Sequence, residues 1–418
     1  MINNKPVLRP ETLTVGYGYD PNDHMRAAKP PIYLTSTFTY PDAETALRAH
    51  DAYAAGNVAA ENGGFVYARL DHPNLVMLQD RLAVLDHAAA CAVFNSGMSA
   101  LATVMLTCLR PGDALLHTTP IYGGTHALMN TLLLPVQDIQ PFPLPPAATE
   151  SDLIATATAA MKHGPVGIIL AETPANPTCS ITDMAGLVRL ADTIELRQGR
   201  RPLVVVDNTF LGPLLQNPLE HGADLTMTSL TKYAGGHSDV LAGSVSGSFC
   251  LVEKLRKTRT LLGTHLDAHG CWMLLRSLET LSVRTERAQK NAEAIARFLA
   301  THQAVEAVTW PGLLPQDSPT RRVFEQQCSG AGSTFSFSVK GGREEAFLVL
   351  NALKIPRLAV SLGGTETLVC HPATTTHHAV PRERLYETGI SEGTVRISVG
   401  IEHQDDLIAD FKQALSRI

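Results

Sequence analysis

The chain has 418 residues, of which 44% are hydrophobic and 18% charged, and its formal net charge is −6 at pH 7. These values are typical of a compact soluble protein of two or three domains, and the acidic balance argues against nucleic acid as the main partner. The apolar runs fall short of the roughly 20 residues that a membrane span needs, and the N-terminus lacks the apolar stretch of a signal peptide. The seven cysteines include no C-x-x-C pair, so we expect reduced thiols, a cytoplasmic protein and no metal site.

Residues 1–70 are rich in Pro, Gly, Tyr and Asp and show little hydrophobic periodicity. Within them, the stretch from Lys29 to Phe38 is typical of extended chain. A segment this long has no core of its own, but its aromatic and apolar content favours packing on a partner over disorder. We therefore predict an N-terminal arm over residues 1–70 that lies on another copy of the same chain.

The central part of the chain alternates between helical spacing and short, uniformly apolar runs. Helices are predicted at 75–90, 100–109 and 187–197, and strands at 91–94, 114–117, 166–170 and 203–206. Apolar strands that alternate with helices indicate a parallel sheet covered on both faces. We predict an α/β fold in which residues 71–265 form a large domain, a mostly parallel sheet with flanking helices.

The remainder of the chain predicts a smaller unit. A long helix is expected around 255–300, followed by alternating, half-buried strands at 305–310, 333–339 and 395–399 and a helix at 347–353. Residues 266–418 should therefore form a C-terminal α+β domain together with its linking helix. The adjacent His377 and His378 are interpreted as surface or capping residues, because no H-E-x-x-H metal motif is present.

One lysine lies in a segment suited to covalent chemistry. Lys232 follows an apolar run, stands among small hydroxyl residues and precedes Gly235-Gly236. A lysine in such a place forms an imine with an aldehyde if its amine is kept deprotonated. Ser229 and Thr231 lie close enough in sequence to donate hydrogen bonds to a phosphate. An aldehyde with a nearby phosphate describes pyridoxal 5'-phosphate (PLP); the alternative is a surface turn with an exposed lysine.

Two further positions follow predicted strands, at the edge where ligands gather in parallel sheets. The segment Ser96-Gly97-Met98 starts a helix, so its backbone N–H groups can hold an anion, or else Ser96 is an ordinary N-cap. Asp207 directly follows an apolar strand, so its carboxylate can keep a pyridine nitrogen protonated. The alternative for Asp207 is a helix cap or a turn.

Aromatic and arginine side chains complete the set of candidates. Tyr122, on a glycine turn, can stack on a flat cofactor or be a buried structural tyrosine. Tyr67 and Arg69 offer a ring and a guanidinium that suits a phosphate, although a solvated arginine also fits. Arg396 lies among Val and Ile with no acid nearby in sequence, so its partner is either a substrate carboxylate or a distant Asp or Glu.

In combination these motifs resemble one family, the Cys/Met-metabolism PLP enzymes of fold type I, from about residue 12 to the C-terminus. That family includes cystathionine γ-synthase, cystathionine γ- and β-lyases, methionine γ-lyase and the homoserine-ester sulfhydrylases. The segments that carry the likeness are Pro30 to Phe38, Tyr67-x-Arg69, Ser96-Gly97-Met98, Glu172 to Pro177, Asp207-Asn208-Thr209, Ser229-x-Thr231-Lys232-Tyr233, Gly236 to Asp239, Ser361 to Gly364, His371-Pro372-Ala373 and Gly393-x-x-Arg396-x-Ser398-x-Gly400.

The resemblance implies a role for each candidate. Lys232 would bond to the cofactor and carry protons, Asp207 would pair with the ring nitrogen, and Tyr122 would stack on the ring. The residues implied to hold the phosphate are Ser96, Gly97, Met98, Ser229 and Thr231, with Tyr67 and Arg69 reaching the phosphate of the neighbouring subunit. The residues implied to grip the substrate carboxylate or the cofactor oxygen are Asn176, Ser361 and Arg396. The implied assembly is a homotetramer, a dimer of dimers with shared active sites.

The resemblance also bears on the substrate. Val360 stands where cystathionine-handling γ-enzymes carry Glu and β-lyases an aromatic residue, so it resembles methionine γ-lyase. Methionine γ-lyases, however, carry Cys where this chain has Gly124. Glu61 is a candidate partner for a cationic leaving group such as the guanidine of canavanine. We expect γ-elimination from a methionine-, homoserine-ester-, cystathionine- or canavanine-like amino acid, giving a 2-oxo acid. The alternatives are γ-replacement, as in cystathionine γ-synthase or an O-acyl-homoserine sulfhydrylase, and a PLP-binding regulator without catalysis.

Overall fold

A computed structural model of the chain describes residues 8–56, 64–145, 148–378 and 380–418. Its larger sheet has seven strands in the order β1-β7-β6-β5-β4-β2-β3. Only β7 runs antiparallel to its neighbours, so the prediction of a mostly parallel sheet is confirmed. The strands are β1 (Ala90–Phe94), β2 (Ala114–His117), β3 (Gln140–Pro143), β4 (Val166–Glu172), β5 (Leu203–Asp207), β6 (Leu225–Thr228) and β7 (Gly243–Gly247).

Helices cover both faces of this sheet, which explains why its strands are uniformly apolar. Leu115 of β2 packs in a cluster with Phe94 and Leu101, whereas the adjacent Leu116 packs on the opposite face with Leu187. The helices of this part are α3 (Pro73–Leu85), α4 (Gly97–Cys108), α5 (Gly123–Leu128), α6 (Leu134–Gln137), α7 (Glu150–His163), α8 (Met184–Gln198), α9 (Gly212–Leu215) and α10 (Phe249–Leu262).

The smaller sheet has five strands in the order β10-β11-β12-β9-β8. Its strands are β8 (Val305–Thr309), β9 (Thr334–Val339), β10 (Arg357–Leu358), β11 (Leu368–Cys370) and β12 (Thr394–Ser398), with α13 (Pro319–Gln327), α14 (Arg343–Ala352), α15 (Arg382–Glu387) and α16 (Gln404–Leu415) between and after them. The prediction that β9 and β12 are half-buried was wrong. Both are almost wholly buried, because they are central strands. The predicted boundary near residue 265 stays a prediction.

Two predicted segments differ from the structure. Residues 1–70 contain helices that weak periodicity did not reveal, α1 (Pro10–Gly16) and α2 (Ala43–Ala54). The single long helix expected around 255–300 consists of α10, α11 (Ala268–Leu278) and α12 (Leu281–Ala300). The first break lies at Gly263, whose φ of 71° ends α10 in the left-handed conformation that glycine adopts readily. Among the described residues, no helix is both long and apolar enough to cross a membrane.

Candidate active site

A cavity of about 390 Å³ opens at the carboxyl ends of β4, β5 and β6. Most of the candidates from the sequence line it, although they come from distant parts of the chain. Those it brings together are Ser96, Gly97, Met98, Tyr122, Asn176, Asp207, Ser229, Thr231, Lys232, Val360, Ser361 and Arg396. Tyr67 and Arg69 do not line it. Glu61 lies outside the described residues.

Lys232 lies just beyond the end of β6 and lines the cavity. Its Nζ donates a hydrogen bond to Ser361 Oγ at 2.8 Å. Burial, followed by the positive charge of Arg396, lowers the pKa of Lys232 to about 8, and the negative charge of Asp207 opposes this only in part. A lysine with this pKa is about one-tenth neutral at pH 7, whereas an ordinary lysine is less than about a thousandth neutral. The amine is therefore available as a nucleophile and as a base.

Two carboxylates end adjacent strands beside this lysine. Glu172 is the last residue of β4 and Asp207 the last of β5, and the two are register partners in the sheet. Burial raises the pKa of both side chains, and the negative charge of Asp207 raises the pKa of Glu172 further. Among the described residues, Asp207 accepts a hydrogen bond only from Thr209, whose backbone N lies 3.0 Å from Oδ1. Asp207 can therefore accept a further hydrogen bond from a donor in the cavity.

Glu172 was part of a sequence motif, but no role was assigned to it. Its Oε2 accepts the backbone N–H of Tyr122 and its Oε1 accepts that of Asn176, both at 2.7 Å. One side chain therefore fixes the two loops that carry Tyr122 and Asn176 on the cavity wall. The signal was its place at the end of an apolar strand, the same signal that identified Asp207.

The start of α4 forms a seat for an anion. Ser96 caps this helix: its Oγ accepts the backbone N–H of Ser99, and Ser99 Oγ in turn accepts that of Ser96. The predicted N-cap is therefore present. The first turn has further N–H groups without a partner inside the helix, and Ser96, Gly97 and Met98 line the cavity. A Cβ on Gly97 would stand only 3.0 Å from Ser229 Oγ. The glycine thus lets α4 approach the hydroxyl residues that precede Lys232.

Arg396 lies on β12 and is only 3% exposed. Its Nη1 donates to Asn176 Oδ1 at 3.1 Å and its Nη2 to the Ser361 carbonyl at 2.7 Å. Within the described residues it lies within ion-pair distance of no carboxylate, so the distant Asp or Glu considered from the sequence is not found there. Ser361 has a φ of 85°, a conformation that costs a non-glycine residue about 1–3 kcal/mol. The hydrogen bonds of Ser361 with Arg396 and Lys232 stabilise this strained conformation.

Tyr122 lies at the mouth of the cavity and is 41% exposed. Its ring rests close to Gly124, where a Cβ would stand 2.6 Å from Tyr122 Cε1 and 3.2 Å from Met98 Sδ. A side chain at 124 is therefore incompatible with this ring position. The alternative of a buried structural tyrosine does not fit this exposure.

Tyr67 and Arg69 lie together elsewhere on the surface. The Arg69 Cζ is 5.7 Å from the Tyr67 ring centroid, and its Nη1 donates to the Thr260 carbonyl at 2.8 Å. A bridge between Thr37 and Tyr67 ties the segment to the preceding extended chain. Neither side chain therefore contributes to the active cavity of its own chain.

Several cavity residues were missed from the sequence. Apolar or small, and scattered along the chain, they carried no chemical signal of their own: they are Thr125, Thr209, Phe210, Met227, Leu241 and Leu362. The interpretation of His377 as a surface or capping residue was wrong, since it is 2% exposed. Its partner in the pair, His378, is exposed.

The residues present fit an aldehyde-bearing aromatic phosphate. The cavity is large enough for a small ring and a substrate, and its polar groups are separated by function. The close approach at Gly97 brings the start of α4 beside the Ser229 hydroxyl, where a phosphate can accept from both. Lys232 offers an amine with a pKa of about 8, and Asp207 offers a half-buried carboxylate with a free acceptor. Arg396 holds a positive charge without a carboxylate among the described residues, which suits the carboxylate of an amino acid.

Comparison with known proteins agrees with this geometry. The model of the family described as Cys/Met metabolism PLP-dependent enzyme matches residues 11–416. The L-methionine gamma-lyase of Pseudomonas putida is 38% identical over 97% of this chain and 96% of its own length. The cystathionine beta-lyase of Bacillus subtilis is 37% identical over 86% of this chain and 88% of its own length. The crystal structure of cystathionine gamma synthase from Xanthomonas oryzae pv. oryzae, in complex with aminoacrylate and cysteine, matches with a TM-score of 0.86 and 33% identity, covering 98% of both chains.

Proposed function

We propose that this chain, which belongs to the Cys/Met-metabolism family of PLP-dependent enzymes, releases a 2-oxo acid from an L-amino acid that carries a leaving group on its γ-carbon. It is a PLP-dependent lyase of the trans-sulfuration enzymes, with fold type I, and it catalyses γ-elimination. The observation that carries the proposal is the joint position of Lys232, Asp207 and Arg396 around one cavity.

The proposed roles follow from the contacts of each side chain. The helix start at Ser96, Gly97 and Met98, with Ser229 and Thr231, holds the phosphate, because the first turn of α4 supplies N–H donors beside the Ser229 hydroxyl. The Thr231 hydroxyl donates to the Ala242 carbonyl in this structure and would turn toward the phosphate. Asp207 keeps a proton on the pyridine nitrogen, since it has a free acceptor and its half-buried charge is stabilised by a cation at that position. Tyr122 stacks on the ring from the mouth of the cavity.

When bound, the cofactor would supply an electron sink for the α-carbon of the substrate, which would acidify the α-proton. Arg396 binds the substrate carboxylate with its guanidinium, which Asn176 and Ser361 already orient. Lys232 removes the α-proton at Nζ and carries protons within the site, because a group with a pKa near 8 gains and loses a proton readily near neutral pH. Loss of a proton from the β-carbon allows the γ-group to leave, and the departing group takes up a proton. Addition of one water to the remaining carbon skeleton then yields a 2-oxo acid and ammonia.

The walls of the cavity favour an uncharged, apolar leaving group. Away from its charged residues, the cavity is lined by Met98, Phe210, Leu241, Val360 and Leu362. Among the described residues that line it, the only carboxylates are Glu172 and Asp207, and both have the tasks given above. A thioether sulfur suits such walls, whereas a guanidine would need a further acid. We therefore place L-methionine and similar thioethers ahead of canavanine.

A screen of 2-oxo acid release tests the proposal. Methionine, an O-acyl-homoserine, cystathionine and canavanine are compared side by side, each with and without an added thiol. Release from methionine without added thiol, abolished by Lys232→Ala, is the expected result. Consumption of substrate that requires the thiol and releases no 2-oxo acid would instead identify γ-replacement. Near-normal activity of the Lys232→Ala enzyme would reject the mechanism.

We further propose a homotetramer in which Tyr67 and Arg69 serve the neighbouring subunit's cofactor phosphate. Both residues are exposed and lie away from this chain's own cavity, which supports this view. Mixing Lys232→Ala chains with Arg69→Ala chains tests it. In a mixed dimer one site keeps both residues, so random assembly should restore about a quarter of wild-type activity. Activity that stays at the level of the separate variants would contradict shared sites.

A reducing, cytoplasmic location remains our proposal. All seven cysteines are free thiols, and six of them are buried or half-buried. This pattern is typical of proteins in reducing compartments. Fractionation of cells that express the protein, followed by detection of its activity, tests the location.

A further inference from the structure

A second cavity of about 250 Å³ lies behind the wall of the active cavity. The segment that follows β11 separates the two spaces: Thr376 lines the active cavity, and the next residue, His377, lines the second one. The same wall abuts the turn of Tyr122, because a Cβ on Gly123 would stand 2.5 Å from the Thr376 carbonyl oxygen. The two cavities therefore share a thin partition.

The ionisable residues that line this second cavity are all basic, and neutral amides and hydroxyls make up the rest of its polar lining. Three histidines and an arginine contribute to it, namely His117 at the end of β2, His126 on α5, His377 and Arg384 on α15. No Asp or Glu occurs among its described lining residues. Within the described part of the chain, the side chains of His126 and Arg384 make no hydrogen bond or ion pair.

The histidines at its floor are deeply buried and close to the other cationic groups. His117 is 5% exposed and His377 2% exposed. The pKa of each is lowered to about 4, mainly by burial; the charge of His126 acts in the same direction on both, and the Thr118 carbonyl opposes it at His117. Arg384 acts on His117 and Arg396 on His377 in the same direction, while the Asn176 carbonyl beside His377 opposes it. In the described structure, Nε2 of His377 has no hydrogen-bond partner.

We propose that this cavity is a binding site for a compact oxyanion, the phosphate or carboxylate group of a small molecule. A buried polar floor without an acid among its described residues is costly unless a ligand satisfies it, and an anion satisfies imidazoles and a guanidinium together. Arg384 stands exposed at the rim, where it meets an entering anion, and His126 lies half-buried below it. The site is separate from the phosphate seat at α4, which a bound cofactor occupies.

The affinity of this site should rise as the pH falls. In the free protein the low pKa values of His117 and His377 keep both imidazoles neutral near pH 7. A bound anion favours the protonated imidazoles and so raises their pKa, which means that protons are taken up on binding. Because anion binding takes up protons, a lower pH favours the bound state.

Calorimetric titration of the holoenzyme with inorganic phosphate, and separately with acetate, tests the proposal. We expect one site per chain, an affinity that increases from pH 8 to pH 6, and proton uptake seen as a dependence of the heat on the buffer. Phosphate that binds more tightly points to a phosphorylated ligand, and acetate that binds more tightly points to a carboxylate. The absence of binding by both anions overturns the proposal.

Matched variants locate the binding in this cavity. Arg384→Gln should weaken the binding of the anion about tenfold or more, since a charge-assisted contact is lost. Arg382→Gln is the control, because Arg382 lies on the same helix but outside the cavity lining and faces Glu392 at 3.5 Å. His126→Gln is a second variant. Burial and the charge of Arg384 lower the pKa of His126 in the free protein, so a bound anion would raise it, and loss of this imidazole should reduce the proton uptake. Equal affinities in the Arg384 and Arg382 variants refute the site.

Discussion

Replacement of Glu172 by glutamine tests whether one carboxylate positions both loops of the active cavity. The side chain keeps its size, but it presents one oxygen and one NH₂ group where two oxygens now accept backbone N–H groups at 2.7 Å. Either the N–H of Tyr122 or that of Asn176 must therefore lose its acceptor. A buried donor left unsatisfied costs ~1–3 kcal/mol. If the loop relaxes away from its catalytic position, kcat/KM should fall roughly 5- to 150-fold.

The assay follows 2-oxo acid release from methionine by the cofactor-loaded variant, with kcat and KM measured separately. Asp410→Asn is the matched control, because Asp410 is also buried and its Oδ2 accepts two backbone N–H groups, from Lys354 at 2.8 Å and Ile355 at 2.7 Å. Asparagine can keep one oxygen for both N–H groups and places its NH₂ group against Gln413 Nε2, whose hydrogen bond to Asp410 Oδ1 at 2.8 Å is lost. The control should therefore lose stability through that one contact and keep its kcat/KM. The visible spectrum of the bound cofactor should change only in the Glu172→Gln enzyme.

The outcome distinguishes positioning from general destabilisation. If both variants lose activity in proportion to their loss of stability, Glu172 is a structural residue and the reasoning fails. It fails equally if Glu172→Gln keeps kcat/KM and the cofactor spectrum of the wild type. A loss confined to Glu172→Gln, at a temperature where both proteins are folded, supports the positioning role.

Three further substitutions or conditions have expected results. The rate at which PLP loads onto the apo-protein should rise with pH through about 8, because the pKa of Lys232 is lowered to that value and bond formation needs the neutral amine; a flat profile between pH 7 and 9 contradicts this. Arg396→Lys should raise KM for the amino acid about tenfold or more with a smaller change in kcat, since lysine lacks the guanidinium fork; an unchanged KM argues against carboxylate binding there. Gly124→Ala should lower kcat/KM about tenfold or more, since the new Cβ would meet the Tyr122 ring at 2.6 Å; wild-type kinetics would show that the ring moves without consequence.

The sequence revealed those parts of the fold that carry a strong local pattern. Strands β2, β4 and β5 are short apolar runs, and their burial on both faces follows from that composition. Asp207 and Lys232 could be identified because each directly follows such a run. Their meeting in one cavity follows from the common direction of parallel strands.

Other parts depend on tertiary contacts that leave no local pattern. Strand β7 reads Gly-Ser-Val-Ser-Gly, and it forms only because β1 and β6 pair with it on either side. Strand β3 contains Pro141 and Pro143, and it is tolerated because it lies at the edge of the sheet. The hydrogen bonds that Glu172 accepts could not be predicted, since its donors follow different strands.

The active cavity is held together by a continuous series of contacts between segments far apart in sequence. Glu172 joins the Tyr122 turn to Asn176, Arg396 joins Asn176 to Ser361, and Ser361 accepts from Lys232, in the order Tyr122, Glu172, Asn176, Arg396, Ser361, Lys232. The series contains both acidic and basic side chains, and the charge of one changes the pKa of the others. Arg396, for example, lowers the pKa of both Lys232 and Glu172. Linked bonds and linked charges make the members interdependent. The reactivity of Lys232 is therefore a property of the whole series, and it arises only when the large and small sheets are packed together.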